Sequence, residues 1–212
     1  RLQNDDIKFT NMYFKFQRII SILVFPLGVG VFLYSDLATE IMLGSKWSEA
    51  SGVIGIWALT SSIMTVFGNL CSEVYRAKGK PKLSFIAQTL HLIVLVPACI
   101  ISSKHGFWAL VYTRSWIRLQ FVLVHFILMK YVIGISITKT IKNVSQTAVS
   151  TICMGVLCYF LRQINESILW DFISIFICMM FYFCILLLFP SMRREIFSVM
   201  KKLKPESVIE RH

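Results

Sequence analysis

Residues 106–130 read GFWALVYTRSWIRLQFVLVHFILMK, an apolar run long enough to cross a bilayer that also carries Arg114, Arg118 and His125. Spacings of four and seven residues place these three side chains on one face of a helix with about 3.6 residues per turn. A guanidinium that faces lipid is costly, so we expect this face to contact protein or water. The role of an intramembrane cationic face is therefore the main question that the sequence raises.

The composition is that of a polytopic membrane protein. The 212-residue chain is 56% hydrophobic and 16% charged, and its apolar residues form long blocks. Six blocks approach the length of about 20 residues that crosses a hydrocarbon core. They cover residues 19–42, 53–75, 83–101, 107–129, 144–161 and 168–189. The sequence therefore predicts an all-α transmembrane bundle of six spans.

The basic residues orient this bundle. Of 22 Lys and Arg residues, 17 lie in connections on one side, Lys46, Lys104 and Arg162 lie on the other, and two lie inside a span. Because cytoplasmic loops carry the excess of Lys and Arg, we predict that both termini of this segment are cytoplasmic. The net charge of +11 then reflects topology, with a second role at anionic lipid headgroups, and does not indicate a nucleic-acid partner.

The apolar blocks divide the chain into four parts. We expect an amphipathic cytoplasmic lead over residues 1–18, with a plain connecting loop as the alternative, and four spans of a transport unit over residues 19–130. Residues 131–190 would form two peripheral accessory spans, and residues 191–212 a cytoplasmic tail with a surface helix over residues 192–200. Because the chain opens on Arg1 without an initiator Met, we expect it to be part of a longer protein.

The first span contains Pro26, Gly28 and Gly30 within five residues. This spacing predicts an interrupted helix, which persists in a membrane only where neighbours or water satisfy the freed carbonyl groups. A mobile helix and an ordinary membrane helix that happens to contain Pro and Gly both remain open at this point.

Polar residues recur on one face of three consecutive spans. The second span carries Ser62, Thr65, Asn69 and Glu73, and the third carries Ser84, Gln88 and His91, each at helical spacing. Three polar faces can enclose a hydrated cavity, although the same residues also serve as hydrogen bonds between helices. The predicted substrate-binding residues are Arg114, Arg118, His125, Asn69, Glu73, Gln88 and His91.

The two arginines carry the chemical argument. By helix rise, Arg114 lies about 10 Å and Arg118 about 16 Å from the outer end of their span. Two guanidinium groups that face one space can clamp a phosphate or carboxylate, whereas the structural alternative is an ion pair with Glu73 or a loop acid.

Motifs of an enzyme are not visible in the sequence, which has no HExxH, GxSxG, GxxxxGK[ST] or DxD pattern. We therefore expect no catalytic residue, metal or cofactor. A membrane enzyme would have to use Asp36 and Glu40, which are better explained as solvated carboxylates at a helix end. The six cysteines all lie in apolar segments, where we interpret them as small apolar side chains.

Two stretches resemble a known family: FPLGVGVFLYSDLATEIMLGSKWSEA at residues 25–50 and EVYRAKGKPK at residues 73–82. Both resemble the C-terminal lobe of Wzx-type polysaccharide flippases, of the lipopolysaccharide and colanic-acid exporter type. These flippases belong to the multidrug/oligosaccharidyl-lipid/polysaccharide exporter superfamily. The resemblance implies a two-lobe exporter of 12–14 helices, in which these spans are helices nine to fourteen and the N-terminal lobe is missing.

The resemblance also implies a function. Such a protein moves an undecaprenyl-diphosphate-linked oligosaccharide across the bacterial inner membrane for O-antigen, capsule or colanic-acid-like polysaccharide, with cavity arginines receiving the diphosphate. Arg114 and Arg118 are candidates for this role by position and chemistry, and a polysaccharide polymerase complex is a candidate partner. The alternatives are a cation-coupled multidrug exporter of the same superfamily, a membrane enzyme of glycan assembly and a scaffold protein.

Overall fold

The computed structural model describes residues 6–165 and 167–195, and 91% of these described residues are helical. Short 3₁₀ and π-helical turns interrupt the α-helices. In chain order the elements are α1 (Asp6–Leu33), α2 (Ser35–Leu43), a 3₁₀ helix (Ser45–Ala50), α3 (Ser51–Met64), a π-helical turn (Thr65–Asn69), α4 (Leu70–Ala77), α5 (Lys82–Ser103), α6 (Phe107–Leu128), a second π-helical turn (Met129–Ile133), α7 (Ile137–Arg162) and α8 (Ile168–Leu188).

Within the described ranges, six helical segments are long and apolar enough to cross a membrane. They are Asp6–Leu33, Ser45–Ala77, Lys82–Ser103, Phe107–Ile133, Ile137–Arg162 and Ile168–Leu188. The prediction of an all-α, multi-pass membrane bundle is confirmed. Most of the large side chains that remain exposed are apolar, as expected for helices that face lipid.

The helices pack in an order that differs from their order along the chain. Helix α1 packs between α3 and α7, α8 packs on α7, α6 packs on α3, and α5 packs on α6. The series α8, α7, α1, α3, α6, α5 therefore places the polar faces of α3, α5 and α6 together on one side of α1. The last pair of helices lies on the other side.

Helix α1 begins earlier than the sequence predicted. The described part of the expected lead, residues 6–18, is the first part of α1, so the alternative of a connecting loop is wrong for these residues. Tyr13 is 4% exposed and shares a buried cluster with Cys71 and Tyr75 of α4. This segment therefore packs into the bundle, because its aromatic side chains find apolar partners there.

Helix α1 also continues through Pro26, where an interruption was expected. Proline has no N–H to donate to the carbonyl four residues earlier, which here belongs to Ile22. The hydroxyl of Tyr182 in α8 donates to that carbonyl oxygen at 2.8 Å. The expectation that a neighbour satisfies the freed carbonyl is thus confirmed, whereas the expected interruption lies further along the chain.

The break falls at Tyr34, between α1 and α2, so the predicted span over residues 19–42 is two helices. The Tyr34 hydroxyl lies 2.6 Å from the Ser174 hydroxyl in α8. Arg162, at the end of α7, donates to the Leu33 carbonyl oxygen and forms an ion pair with Asp36. One guanidinium therefore bridges the last turn of α1 and the first turn of α2, which fixes the break.

Close packing of α1 on α3 depends on Gly28. A Cβ atom at this position would overlap the side chain of Ser62, so only glycine lets the two helices approach this closely. This contact turns Ser62 towards α1 and determines which face of α3 is left for the polar cavity described below.

The described part of the tail is short. Residues 190–195 are helical, and the Ser191 hydroxyl donates to the Gln146 side chain of α7 at 2.6 Å. The rest of the predicted surface helix over residues 192–200 lies outside the described residues.

Candidate functional site

A polar cavity of about 380 Å³ lies between α3, α5 and α6. Ten residues line it: Ser61, Met64, Thr65, Asn69, Gln88, His91, Leu95, Arg114, Arg118 and Phe121. Five of the seven predicted substrate-binding residues are among them, namely Arg114, Arg118, Asn69, Gln88 and His91. The expectation that the polar faces of three consecutive spans meet around one space therefore agrees with the geometry.

Helix α6 supplies the positive charge. An Arg118 Nη1 donates to the Ser61 hydroxyl at 2.7 Å, and the Arg114 guanidinium lies 5.3 Å from the centre of the Trp57 ring. Among the described residues, neither arginine forms an ion pair, and none of the ten lining residues is acidic. The cavity therefore holds two cationic groups that have no acidic partner in the described part of the chain.

Helix α3 presents Ser61 to this cavity, not Ser62. A π-helical turn follows α3 at Thr65–Asn69, and the first and last residues of this turn, Thr65 and Asn69, both line the cavity. Ser61 continues the same line one turn earlier. The polar face predicted from the sequence began at Ser62, whereas a spacing of four from Ser61 to Thr65 to Asn69 describes the face that the structure shows.

Glu73 was expected in the site, and the structure places it elsewhere. Its carboxylate lies 3.0 Å from Arg76, and both side chains are more than 60% exposed. On this helix the lining of the cavity ends at Asn69, and Glu73, one turn further along, lies on the exposed surface of α4. The structural alternative of an Arg118–Glu73 ion pair is therefore wrong as well.

His125 was also expected in the site and is instead buried beside it, at 1% exposure. Its ring stacks on Tyr75, and its Nδ1 lies 3.1 Å from the Tyr75 hydroxyl. Phe121 separates it from the cavity, because that ring contacts both His91 at 4.4 Å and His125 at 4.5 Å between ring centres. His125 shares the helical face of the arginines, but the cavity ends at the ring of Phe121, and His125 lies behind that ring.

Sequence reasoning missed the apolar lining residues Met64, Leu95 and Phe121, and it also missed Ser61 and the neighbouring Trp57. Trp57 lies one turn before Ser61 on the same line of α3, and Arg114 covers its ring. A search for partners of the arginines at spacings of four along the second span would have found Ser61 and Trp57 together. Phe121 carries no such signal, because an apolar side chain in an apolar span looks like any other.

The two acids considered for a membrane enzyme, Asp36 and Glu40, lie in α2 and do not belong to the lining of this cavity. Asp36 forms an ion pair with Arg162, and Glu40 is exposed on α2. Asp36 therefore has a structural role at the break between α1 and α2, and neither acid lines the cavity.

The chain is similar in sequence to proteins of polysaccharide biosynthesis. A family model described as "Polysaccharide biosynthesis protein" matches residues 1–52. The chain is 23% identical over 146 residues to the lipopolysaccharide biosynthesis protein WzxC of Escherichia coli (strain K12), covering 68% of this chain and 29% of that protein. It is also 23% identical over 146 residues to the teichuronic acid biosynthesis protein TuaB of Bacillus subtilis (strain 168), covering 67% and 29%.

The matched stretch spans less than a third of the length of these two relatives. No solved structure matches the chain. The family model and both relatives agree with the resemblance seen in residues 25–50 and 73–82, and they support the Wzx-type polysaccharide flippase family for this multi-pass membrane chain.

Proposed function

We propose that this chain is the C-terminal part of a flippase that moves an undecaprenyl-diphosphate-linked oligosaccharide across the bacterial inner membrane. One observation carries the proposal: Arg114 and Arg118 line a polar cavity in which none of the lining residues is acidic. A diphosphate supplies the missing negative charge. The similarity to polysaccharide biosynthesis proteins supports this class of cargo.

The charges of Arg114 and Arg118 are not compensated by an acid among the residues that line the cavity. A guanidinium held away from bulk water is costly unless it is paired or hydrogen-bonded. The Ser61 hydroxyl accepts one of the five N–H groups of Arg118, so most of its donors remain available to a ligand. Phosphate oxygens match the planar fork of a guanidinium, and two arginines on successive turns can each bind one phosphate group.

The polar residues opposite the arginines complete the site. Gln88 and His91 face it from α5, and Thr65 and Asn69 face it from the π-helical turn after α3, so donors and acceptors would surround a bound diphosphate. The lipid tail would remain beside the helices while the charged group is inside, and alternating access would come from movement against the N-terminal lobe. Both termini of the segment would face the cytoplasm.

The runner-up function is a cation-coupled drug exporter of the same superfamily. Such a protein requires buried acids to bind Na⁺, H⁺ or a cationic drug, and the cavity lining contains none. An enzyme of glycan assembly would depend on Asp36 or Glu40. A scaffold protein of the polymerase complex would tolerate substitution of the cavity residues.

The test is leaflet transfer of lipid-linked oligosaccharide by the full-length protein reconstituted in vesicles. We expect Arg118→Gln to reduce transfer by about 10-fold to 100-fold, because a charge-assisted hydrogen bond contributes about 1.5–3 kcal/mol. Arg76→Gln is the matched control, since Arg76 lies on the exposed surface of α4. Normal transfer by both Arg114→Gln and Arg118→Gln would remove the diphosphate clamp from the mechanism.

A further inference from the structure

A second polar groove lies between the first turns of α1 and α7, separate from the cavity described above. Its volume is about 820 Å³. Its lining is rich in charged and amide side chains and comprises Asp6, Ile7, Thr10, Asn11, Phe14, Lys15, Arg18, Lys139, Lys142, Asn143, Gln146, Ser191 and Glu195. None of these residues belongs to the proposed diphosphate site.

Cations outnumber acids in this groove, and both acids are already engaged. Glu195 lies 2.9 Å from Arg18, and Asp6 forms an ion pair with Lys78. Among the described residues, Lys15, Lys139 and Lys142 form no ion pair. The remaining positive charge in the groove therefore comes from three lysines.

The wall of the groove is held rigidly by hydrogen bonds. The Asn143 Oδ1 accepts from Arg18 Nε at 3.2 Å and from Arg18 Nη2 at 2.7 Å. The Asn143 Nδ2 donates to the Phe14 carbonyl oxygen at 2.8 Å and to Gln17 Oε1 at 3.0 Å. These bonds fix the separation of α1 and α7, so the groove keeps its shape before any ligand binds.

The groove lies at the depth where lipid headgroups are expected. Immediately after Arg18, α1 becomes apolar, and after Asn143 the helix α7 carries no charged residue as far as Leu161, over a stretch in which apolar residues predominate. A change from basic to apolar residues on two adjacent helices marks the boundary between headgroup and hydrocarbon. A phosphate at this boundary would lie beside the lysines while its acyl chains follow the helices.

We propose that this groove binds the phosphate headgroup of an anionic phospholipid of the surrounding bilayer. Lys15, Lys139 and Lys142 supply the charge, and the Thr10 hydroxyl and the Asn11 amide can donate hydrogen bonds to the phosphate oxygens. The lipid would seal the cleft between α1 and α7 at its charged end. This inference does not depend on the proposed transport function.

The experiment compares lipid binding by the full-length protein in detergent, measured by native mass spectrometry with phosphatidylglycerol and with phosphatidylcholine. We expect a preference for phosphatidylglycerol, and at least about a tenfold loss of that preference in the triple variant Lys15→Gln, Lys139→Gln, Lys142→Gln, since each surface lysine contributes about fivefold. All three lysines are exposed, so the variant should fold, and its thermal unfolding midpoint checks this.

The matched control is Lys82→Gln, Lys130→Gln, Arg194→Gln, which removes the same charge from residues that do not line the groove. An equal loss of preference in both triple variants would overturn the proposal, because the effect would then follow net charge. No loss in the groove variant would also overturn it. Displacement of the lipid by inorganic phosphate would show a site for free anions, and lipid binding that occurs only after removal of residues 196–212 would show that this segment occupies the groove. Either result contradicts the proposal.

Discussion

Polar side chains enter two regions of this bundle and are used in different ways. Between α1, α7 and α8 they bind each other, as Asn143 binds Arg18 and as Tyr34 approaches Ser174 at 2.6 Å. Between α3, α5 and α6 the arginines face a cavity of about 380 Å³ instead. We call the first region, where the polar groups satisfy one another, the seam, and the second, where they face a cavity, the site.

The comparison shows that the residue type does not determine the role of an intramembrane polar group. Arg18 and Arg118 are chemically identical, yet Glu195 and Asn143 satisfy Arg18, whereas Arg118 has only Ser61 among the described residues. A satisfied group stabilises helix packing, and an unsatisfied one is available to a ligand. Four substitutions sharpen this distinction, from the largest expected effect to the smallest.

Placing an acid in the site should close it to anions. Ser61→Asp would set a carboxylate beside Arg118, which now lies 2.7 Å from the Ser61 hydroxyl. We expect leaflet transfer to fall by about 30-fold to 150-fold, or about 2–3 kcal/mol, because the fixed acid competes with the diphosphate. Ser61→Asn keeps the polarity without the charge and should transfer within about threefold of the unmodified protein. Equal losses in both variants would indicate a steric cause.

Removing the Asn143 side chain from the seam should reduce the stability of the protein and leave cargo recognition unchanged. Asn143→Ala deletes hydrogen bonds to Arg18, Phe14 and Gln17 and leaves the partly buried Arg18 with fewer partners. We expect a loss of about 2 kcal/mol in the free energy of unfolding in detergent. Ser145→Ala is the control, since its hydroxyl bonds only to the exposed Lys142 carbonyl of its own helix. A stable Asn143→Ala protein with poor transfer would contradict the division into seam and site.

A double-mutant cycle can measure how much the hydrogen bond from Tyr182 to the Ile22 carbonyl compensates for the missing N–H of Pro26. Tyr182→Phe leaves the Ile22 carbonyl without its donor, at a cost of about 1 kcal/mol. Pro26→Ala restores a backbone N–H for that carbonyl, so in its background Tyr182→Phe should cost much less. Thermal or denaturant unfolding of the four proteins measures the coupling. Additive effects would show that the hydroxyl does not compensate for the proline.

The smallest effect is expected at Glu73, which the sequence placed in the site. Its carboxylate forms an exposed ion pair with Arg76, and such pairs contribute about 0–1 kcal/mol. Glu73→Gln should therefore leave both transfer and stability nearly unchanged, within about twofold in rate. A large loss of transfer in this variant would return Glu73 to the site and contradict its assignment to the exposed surface of α4.

Hydrophobic length made the transmembrane helices predictable, and polar periodicity made much of the cavity predictable. Asn69, Gln88, His91, Arg114 and Arg118 were all found by helical spacing, because residues three, four and seven apart share a face. The spacing rule assumes an uninterrupted α-helix. It also gives the face on which a residue lies and not how far along the helix the cavity extends. The lining ends at Asn69, so Glu73, one turn further along, lies outside it and pairs with the exposed Arg76.

His125 and Pro26 illustrate a second limit of prediction from the sequence, which is the effect of neighbouring side chains. The helical face of His125 was assigned correctly, but the ring of Phe121 closes the cavity before that position. Pro26 was expected to interrupt α1, but Tyr182, which is 156 residues later in the sequence, satisfies the freed carbonyl. Neither outcome can be obtained from the residues of one helix alone.

By itself, the sequence determined that the chain crosses a membrane as helices and that two arginines lie within one of them, because apolar length and helical period are local properties. The tertiary structure alone decided which polar groups are satisfied, since a hydrogen bond between helices depends on partners that are distant in the chain. That decision separates Arg18, which is held in a seam, from Arg118, which faces a cavity.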